Sequence, residues 1–283
     1  YQPDWVWIKR RSGTGSHRLF DSVRGVHKSI SSNSTGAELD NSNTLTSFDT
    51  DGFSLASDSG NYGVNVNGDT QVAWNWLAGG SASSNTDGDI TSSVSVNTTA
   101  GFSIATYTGN NTNAQTIGHG LGVAPKVYII KRRDSTSAWG LYHGNLGANK
   151  YLQLESTTSV ATDTGIWNNT APTSSVLSLG NAGYFNNASG GTYVCYAFAE
   201  KQGYSKFGKY TGNGSTDGIF IYTGFSPAWI MGKRTDSSNN WYMFDSTRDP
   251  FNVTDKKLRA DQTAAENVDS SKTIDILSNG FKI

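Results

Sequence analysis

The chain has 283 residues, with 22 basic against 23 acidic side chains and a formal net charge of −1. Its longest basic cluster is Lys131-Arg132-Arg133, so nucleic-acid binding by phosphate neutralisation has no support. The single cysteine, Cys195, excludes an intrachain disulfide and a cysteine zinc site. The 32 glycines against 5 prolines, amid many Ser, Thr and Asn, suit short strands joined by turns and disfavour helix. Aromatic residues at 12% argue against disorder. No signal peptide, lipidation motif or transmembrane run is present, which predicts no membrane insertion. A chain starting at Tyr1 reads as a processed product or a piece of a longer polypeptide.

In chain order, the first predicted strand follows Pro3 as Asp4-Trp5-Val6-Trp7-Ile8-Lys9-Arg10. Proline suits a strand start, where its missing N–H costs least. The same pattern returns after Pro125 as Lys126-Val127-Tyr128-Ile129-Ile130-Lys131-Arg132. It returns again after Pro227 as Ala228-Trp229-Ile230-Met231-Gly232-Lys233-Arg234. Each proline is followed six positions later by Lys-Arg and seventeen positions later by an aromatic: Phe20, Tyr142 and Phe244. Copies one and three extend the match as Phe20-Asp21-Ser22-Val23-Arg24 and Phe244-Asp245-Ser246-Thr247-Arg248. They also share Asp51-Gly52-Phe53 and Asn279-Gly280-Phe281. A closing strand lies at one distance from its proline in copies one and two, Thr70 to Trp76 and Thr192 to Phe198. A leading hairpin announces copies two and three, with Tyr107-Thr108-Gly109-Asn110 and Tyr210-Thr211-Gly212-Asn213.

These repeats predict an all-β chain of tandem antiparallel β-sandwich or jelly-roll modules, each with its own core, and the shape of the unit resembles concanavalin-like sandwiches in architecture. Residues 101–200 form the complete module. Residues 1–80 make a module lacking its leading hairpin, residues 81–100 a linker, and residues 203–283 a module lacking its closing strand. Ends of that kind predict completion between subunits by strand exchange, or completion by sequence outside the chain.

Trp5, Trp7, Trp74, Trp76 and Trp229 occupy equivalent strand positions and read as core. Trp139, Trp167 and Trp241 lie beside polar loops and are the candidate glycan-stacking residues. The repeated charges predict structural ion pairs, Lys9 with Asp21 and Lys233 with Asp245, in motifs that also hold Arg24 and Arg248. The second copy keeps Lys131 but has His143 in place of the aspartate, which argues against a catalytic acid there. Asp49-Thr50-Asp51-Gly52, Asp87-Gly88-Asp89 and Asp217-Gly218 resemble pieces of calcium loops, yet none has an EF-hand's ligand spacing, so turns are expected and no cofactor. Cys195 reads as a buried strand residue. His17, His27, His119 and His143 are scattered, and no catalytic motif or paired carboxylate set occurs, so no enzyme activity is expected.

The run Tyr210 to Gly218, then Gly224-Phe225-Ser226-Pro227-Ala228-Trp229-Ile230, Lys233-Arg234-Thr235-Asp236, Trp241, Phe244-Asp245 and Ser278-Asn279-Gly280-Phe281, resembles repeated domains in large structural proteins of marine bacteriophages. Tyr193 to Glu200 resembles the closing strand of the same domain. The resemblance implies a virion structural protein, a tail fibre or other appendage. Its partners would be further copies of itself in an oligomer or filament, other virion proteins and host-surface glycans. The alternative is a bacterial extracellular filament-forming or carbohydrate-binding adhesin. Either reading places the chain in a virion or outside the cell.

Overall fold

A computed structural model describes residues 1–58, 62–181 and 183–283. The chain is an all-β, antiparallel protein. The first third holds β1 (Trp5–Arg10), β2 (Arg18–Asp21), β3 (Lys28–Ser29), β4 (Leu39–Asp40), β5 (Leu45–Asp49), β6 (Gly52–Leu55) and β7 (Gln71–Trp76). The middle holds β8 (Ser83–Asn85), β9 (Ser92–Asn97), β10 (Phe102–Thr108), β11 (Gln115–Gly118) and β12 (Val127–Arg132). It continues with β13 (Gly140–His143), β14 (Lys150–Gln153), β15 (Ala161–Thr162), β16 (Val176–Leu179), a π-helical turn Gly183–Asn187, and β17 (Thr192–Phe198). The last third holds β18 (Phe220–Tyr222), β19 (Trp229–Lys233), β20 (Trp241–Asp245), β21 (Lys256–Arg259), β22 (Asn267–Val268), β23 (Asp275–Leu277) and β24 (Gly280–Lys282).

The three proline-led segments become β1, β12 and β19, each paired with the strand that follows it. The closing strands β7 and β17 pair with the other edge of β1 and β12. The first sheet runs β2-β1-β7 and the third runs β19-β20-β21-β22. The second is the widest, β15-β14-β13-β12-β17-β10-β9-β8. Residues 81–100 are therefore not a linker: β8 and β9 extend the second sheet beyond β10, and Val94 is buried. Gly101, at a φ of 70°, ends the turn between β9 and β10 in a conformation that favours glycine.

The apolar runs follow from burial on both faces, which removes the alternation expected of a half-solvated strand. In β1, Trp5 and Trp7 face one cluster while Val6 and Ile8 face another with Phe20, Leu45 and Val64. In β12, Val127 and Ile129 face the first of these, and Tyr128 and Ile130 a third cluster with Trp167 and Leu177. The first two modules each keep a cluster of their own on one face, but no module is sealed from the others. Their inner faces share one cluster, including Trp5, Trp7 and Trp74 of the first unit, Ile104, Ile129 and Tyr196 of the second, and Met243 and Leu258 of the third. A single β face this short buries too little apolar area to stand alone, so three faces turned inward solve each other's exposure.

Candidate functional site: the seams between the three units

Fourteen positions after each proline stands a ring with a polar nitrogen: His17, Trp139 and Trp241. Each crosses into a neighbouring unit. The Trp139 indole donates to the Ser31 carbonyl at 3.0 Å and the Ser34 carbonyl at 3.2 Å, and the Trp241 indole donates to the Gln153 carbonyl at 2.9 Å. His17 Nε2 lies 2.9 Å from the Arg259 carbonyl. The acceptors are equivalent, because the residue before each one pairs with the same position of the second strand: Ile30 with Leu19, Leu152 with Leu141, Leu258 with Met243. The second unit thus reaches the first, the third reaches the second, and the first reaches the third.

Within its own unit each ring is aimed by a side chain that accepts its backbone N–H: Asn33 for His17 at 2.8 Å, Glu155 for Trp139 at 3.0 Å and Asp261 for Trp241 at 2.9 Å. Burial pushes the Glu155 carboxyl up from the ordinary carboxylate range, while the Trp139 N–H opposes that rise. The same cyclic order governs backbone bonds from Ser137 to Thr35, Asn239 to Thr157 and Gly15 to Thr263.

The repeated lysines take part as well. Lys131 Nζ donates to the Thr35 carbonyl at 3.0 Å, Lys233 Nζ to the Thr157 carbonyl at 2.7 Å, and Lys9 Nζ to the Thr263 carbonyl at 3.4 Å. Burial lowers Lys9 and Lys131 to about 8, with Arg10 a further cause for Lys9. This corrects the expected cross-strand pairs. Lys9 does not meet Asp21, nor Lys233 Asp245, because β1 and β2 run antiparallel with Asp21 opposite Trp5, several residues from Lys9. The aspartates instead hold the arginine three residues on, Asp21 with Arg24 at 2.5 Å and Asp245 with Arg248 at 2.6 Å.

Those pairs belong to longer networks. Across the first seam, Arg133 grips Glu38 with two bonds, Glu38 holds Arg24, Arg24 holds Asp21, and Asp21 accepts the Tyr196 hydroxyl of β17 at 2.6 Å. Across the seam of the first unit with the third, Arg11 grips Glu266, which holds Arg248, which holds Asp245, which accepts the Trp74 indole of β7 at 3.0 Å. In the remaining seam the matching positions are Thr235, Val160, Leu146 and His143, so the charged members disappear together. A lone survivor would be a partly buried charge without its partner, which costs far more than an apolar replacement of the whole set.

His17 differs from its two equivalents. Its Nδ1 accepts the Trp7 indole N–H at 2.8 Å, so Nε2 carries the hydrogen given to Arg259. Burial, then the Lys9 charge, push it down to about 3. Where the first unit has large Trp7 beside small His17, the second has Ile129 with Trp139 and the third Met231 with Trp241. Sequence reasoning missed His17, although its distance from Pro3 was the available signal.

The three glycan-stacking candidates are not surface residues. Trp139 and Trp167 are fully buried and Trp241 is 4% exposed. Trp167 donates to the Lys150 carbonyl at 3.0 Å and sits edge-on to Tyr128 and Tyr142. Polar neighbours in sequence reflect the indole N–H needing a carbonyl, not exposure of the ring. Cys195 is buried, which pushes its thiol up. Among the described residues no group of three or more His, Cys, Asp or Glu converges. Of the acidic turns, Asp89 accepts from Thr116 and Asp49 from Ser54. No helix among the described residues is long and apolar enough to cross a membrane.

The exposed large apolar residues gather in the last third. Tyr204, Tyr210, Phe220, Tyr222 and Phe251 are all exposed there, Phe251 at 81%.

Three repeated β units, closed on one another by equivalent bonds in a cyclic order, define the architectural class of this protein. Residues 1–283 match the family described as a Domain of unknown function (DUF7483), and the chain belongs to it. No curated protein and no solved structure matches the chain.

Proposed function

We infer that this chain is a structural component of a bacteriophage virion appendage, of the tail-fibre kind, that assembles through its β units and carries out no catalysis. The cyclic seam supports this reading most. The repeated polar side chains His17, Trp139, Trp241, Lys9, Lys131 and Lys233 all bond backbone carbonyls of another unit. That arrangement holds a shape and presents no chemistry to solvent. The resemblance of the repeat to structural proteins of marine bacteriophages points the same way. Tyr204, Tyr210, Tyr222 and Phe251 are each exposed and open to contact with other virion proteins or host-surface glycans.

Mass spectrometry of purified particles of a phage encoding this chain tests the proposal, with immunogold labelling to place it. The expected result is the chain in the particle with label on an appendage. A particle that lacks the chain overturns the reading.

A further inference from the structure

The second sheet continues beyond β17 as β10, β9 and β8, and the first unit covers only part of the face turned towards it. Trp5 stacks on Phe102 there, and the Gly79 N–H bonds the Ser95 hydroxyl. Farther along the strands the same face carries hydroxyls. Ser84 pairs with Ser93, Ser93 with Thr106, and Thr106 with Val194. One step on, Thr108 pairs with Thr192, whose carbonyl accepts the Arg133 N–H. Side chains two apart along a strand share a face, so Thr91 stands beside Ser93 as Thr108 stands beside Thr106. The register therefore sets out two rows, Ser84-Ser93-Thr106 and Thr91-Thr108-Thr192, the second ending at Arg133.

These side chains border an open groove of about 470 Å³. Small-ligand clefts run from about 300 to 1,000 Å³. Ser93, Thr106, Thr192 and Arg133 are half-buried in it. Among the described residues none of the six hydroxyls bonds the protein, so each keeps a donor and an acceptor for a ligand. Arg133 commits Nε and Nη2 to Glu38 at 2.9 and 3.0 Å, which neutralises its charge and leaves Nη1 to donate. No other charged side chain lines the groove. A polyanion would find no excess positive charge there, and a cation no carboxylate.

We propose that this groove binds a neutral glycan, whose hydroxyls exchange hydrogen bonds with the two rows while Arg133 Nη1 donates to a sugar oxygen. A hydroxyl gives one hydrogen bond and accepts others, so it meets a second hydroxyl in either sense. Neighbouring strands lie about 4.8 Å apart, which repeats that match along each row. Many weak, well-placed bonds of this kind suit a chain of sugars better than a single small molecule. The proposal rests on the appendage reading for its biological setting and deepens it, by giving the host-surface glycan a place on the second unit.

Affinity electrophoresis of the full chain through gels containing dextran, mannan, laminarin or xylan tests this, with alginate as the acidic comparison. The expected result is retardation by at least one neutral polysaccharide. Thr106→Val/Thr192→Val should weaken that retardation about tenfold or more, since each change removes a hydrogen bond and keeps the side chain's shape. Ser84→Ala/Thr108→Val, at two exposed positions, should do the same, so a folding defect in the first variant cannot stand in for lost binding. Unchanged urea midpoints identify the folded variants. No retardation by any neutral polysaccharide overturns the proposal, as does equal retardation of parent and folded variants. Retardation by alginate alone overturns it too, because the ligand would then be acidic. Presence of the chain in virions is read separately, so either reading can fail alone.

Discussion

Trp139 of the second unit donates its indole N–H to the Ser31 carbonyl of the first, 108 residues away in sequence, from a ring with no solvent exposure. This bond and its two equivalents fix how the units sit. Trp139→Phe keeps most of the ring and strands the carbonyl, for an expected loss of about 1–3 kcal/mol. Trp139→Ala also opens a cavity, with an expected loss of about 3–5 kcal/mol. Urea midpoints measure both. A Phe variant as stable as the parent would show that the cross-unit bond contributes nothing.

The exchange of bulk between Trp7 with His17 and Ile129 with Trp139 predicts coupling. Trp7→Ile and His17→Trp should each destabilise, the first by emptying space and the second by overfilling it. Together they reproduce the second unit's arrangement, so the double variant should recover at least about 1 kcal/mol against the sum of the singles. Additive losses in the thermodynamic cycle would refute this.

His17 makes stability depend on acid. Folded, it stays neutral down to about pH 3, because burial and then the Lys9 charge disfavour the imidazolium, whose Nδ1–H would also face the Trp7 indole N–H. Unfolded, it takes up a proton near its ordinary value of about 6.5. Between these values the unfolded chain binds more protons, so stability falls as pH falls from 6.5 towards 3. The parent should lose more stability over that range than His17→Phe, by chemical denaturation at each pH. Equal slopes would contradict the assignment.

The lysines act at the other end of the scale. Lys9 and Lys131 lose their protons near pH 8 when folded and near 10.4 when unfolded, so they add stability as pH rises through that interval. The buried hydroxyls of Tyr107 and Tyr128, held well above their ordinary value by burial, oppose the gain above about pH 10. A rise between pH 8 and 10 should therefore flatten in Lys9→Met/Lys131→Met, and an unchanged profile in that variant would disprove the cause.

Arg24→Leu should cost about 3–5 kcal/mol, since it leaves the buried Asp21 carboxylate without its cationic partner. Converting Asp21, Arg24, Glu38 and Arg133 together to the His, Leu, Val and Thr of the remaining seam should cost less than that single change. Thermal unfolding separates the cases. A fourfold variant less stable than Arg24→Leu would show that the apolar set depends on features peculiar to its own seam.

The proline-led strands, the closing strands and the Gly-Phe hairpin at Gly52 and Gly280 were legible because they repeat at fixed distances. Residues 81–100 read as a linker because β8 is Ser83-Ser84-Asn85 and β9 sets only Val94 and Val96 among serines, and serine is a turn residue in isolation. Trp139 and Trp241 read as exposed because each is enclosed partly by another unit, which no local pattern records. Lys9 reads as the partner of Asp21 for the same reason: the carbonyl it reaches across the seam, that of Thr263, lies 254 residues away.

Closure between the first and third units has a cost in time. The bonds of Arg11 to Glu266 and His17 to Arg259 join opposite ends of the sequence, so the ring is unfinished until the last third has been synthesised. Contacts of such high sequence separation form slowly and late. Until then the indoles of Trp74 and Trp76, against which Trp229 of the third unit packs, lie open to other nascent chains, and aggregation competes with folding. Once shut, the ring leaves no unit free to open alone, so proteases should meet an all-or-none substrate.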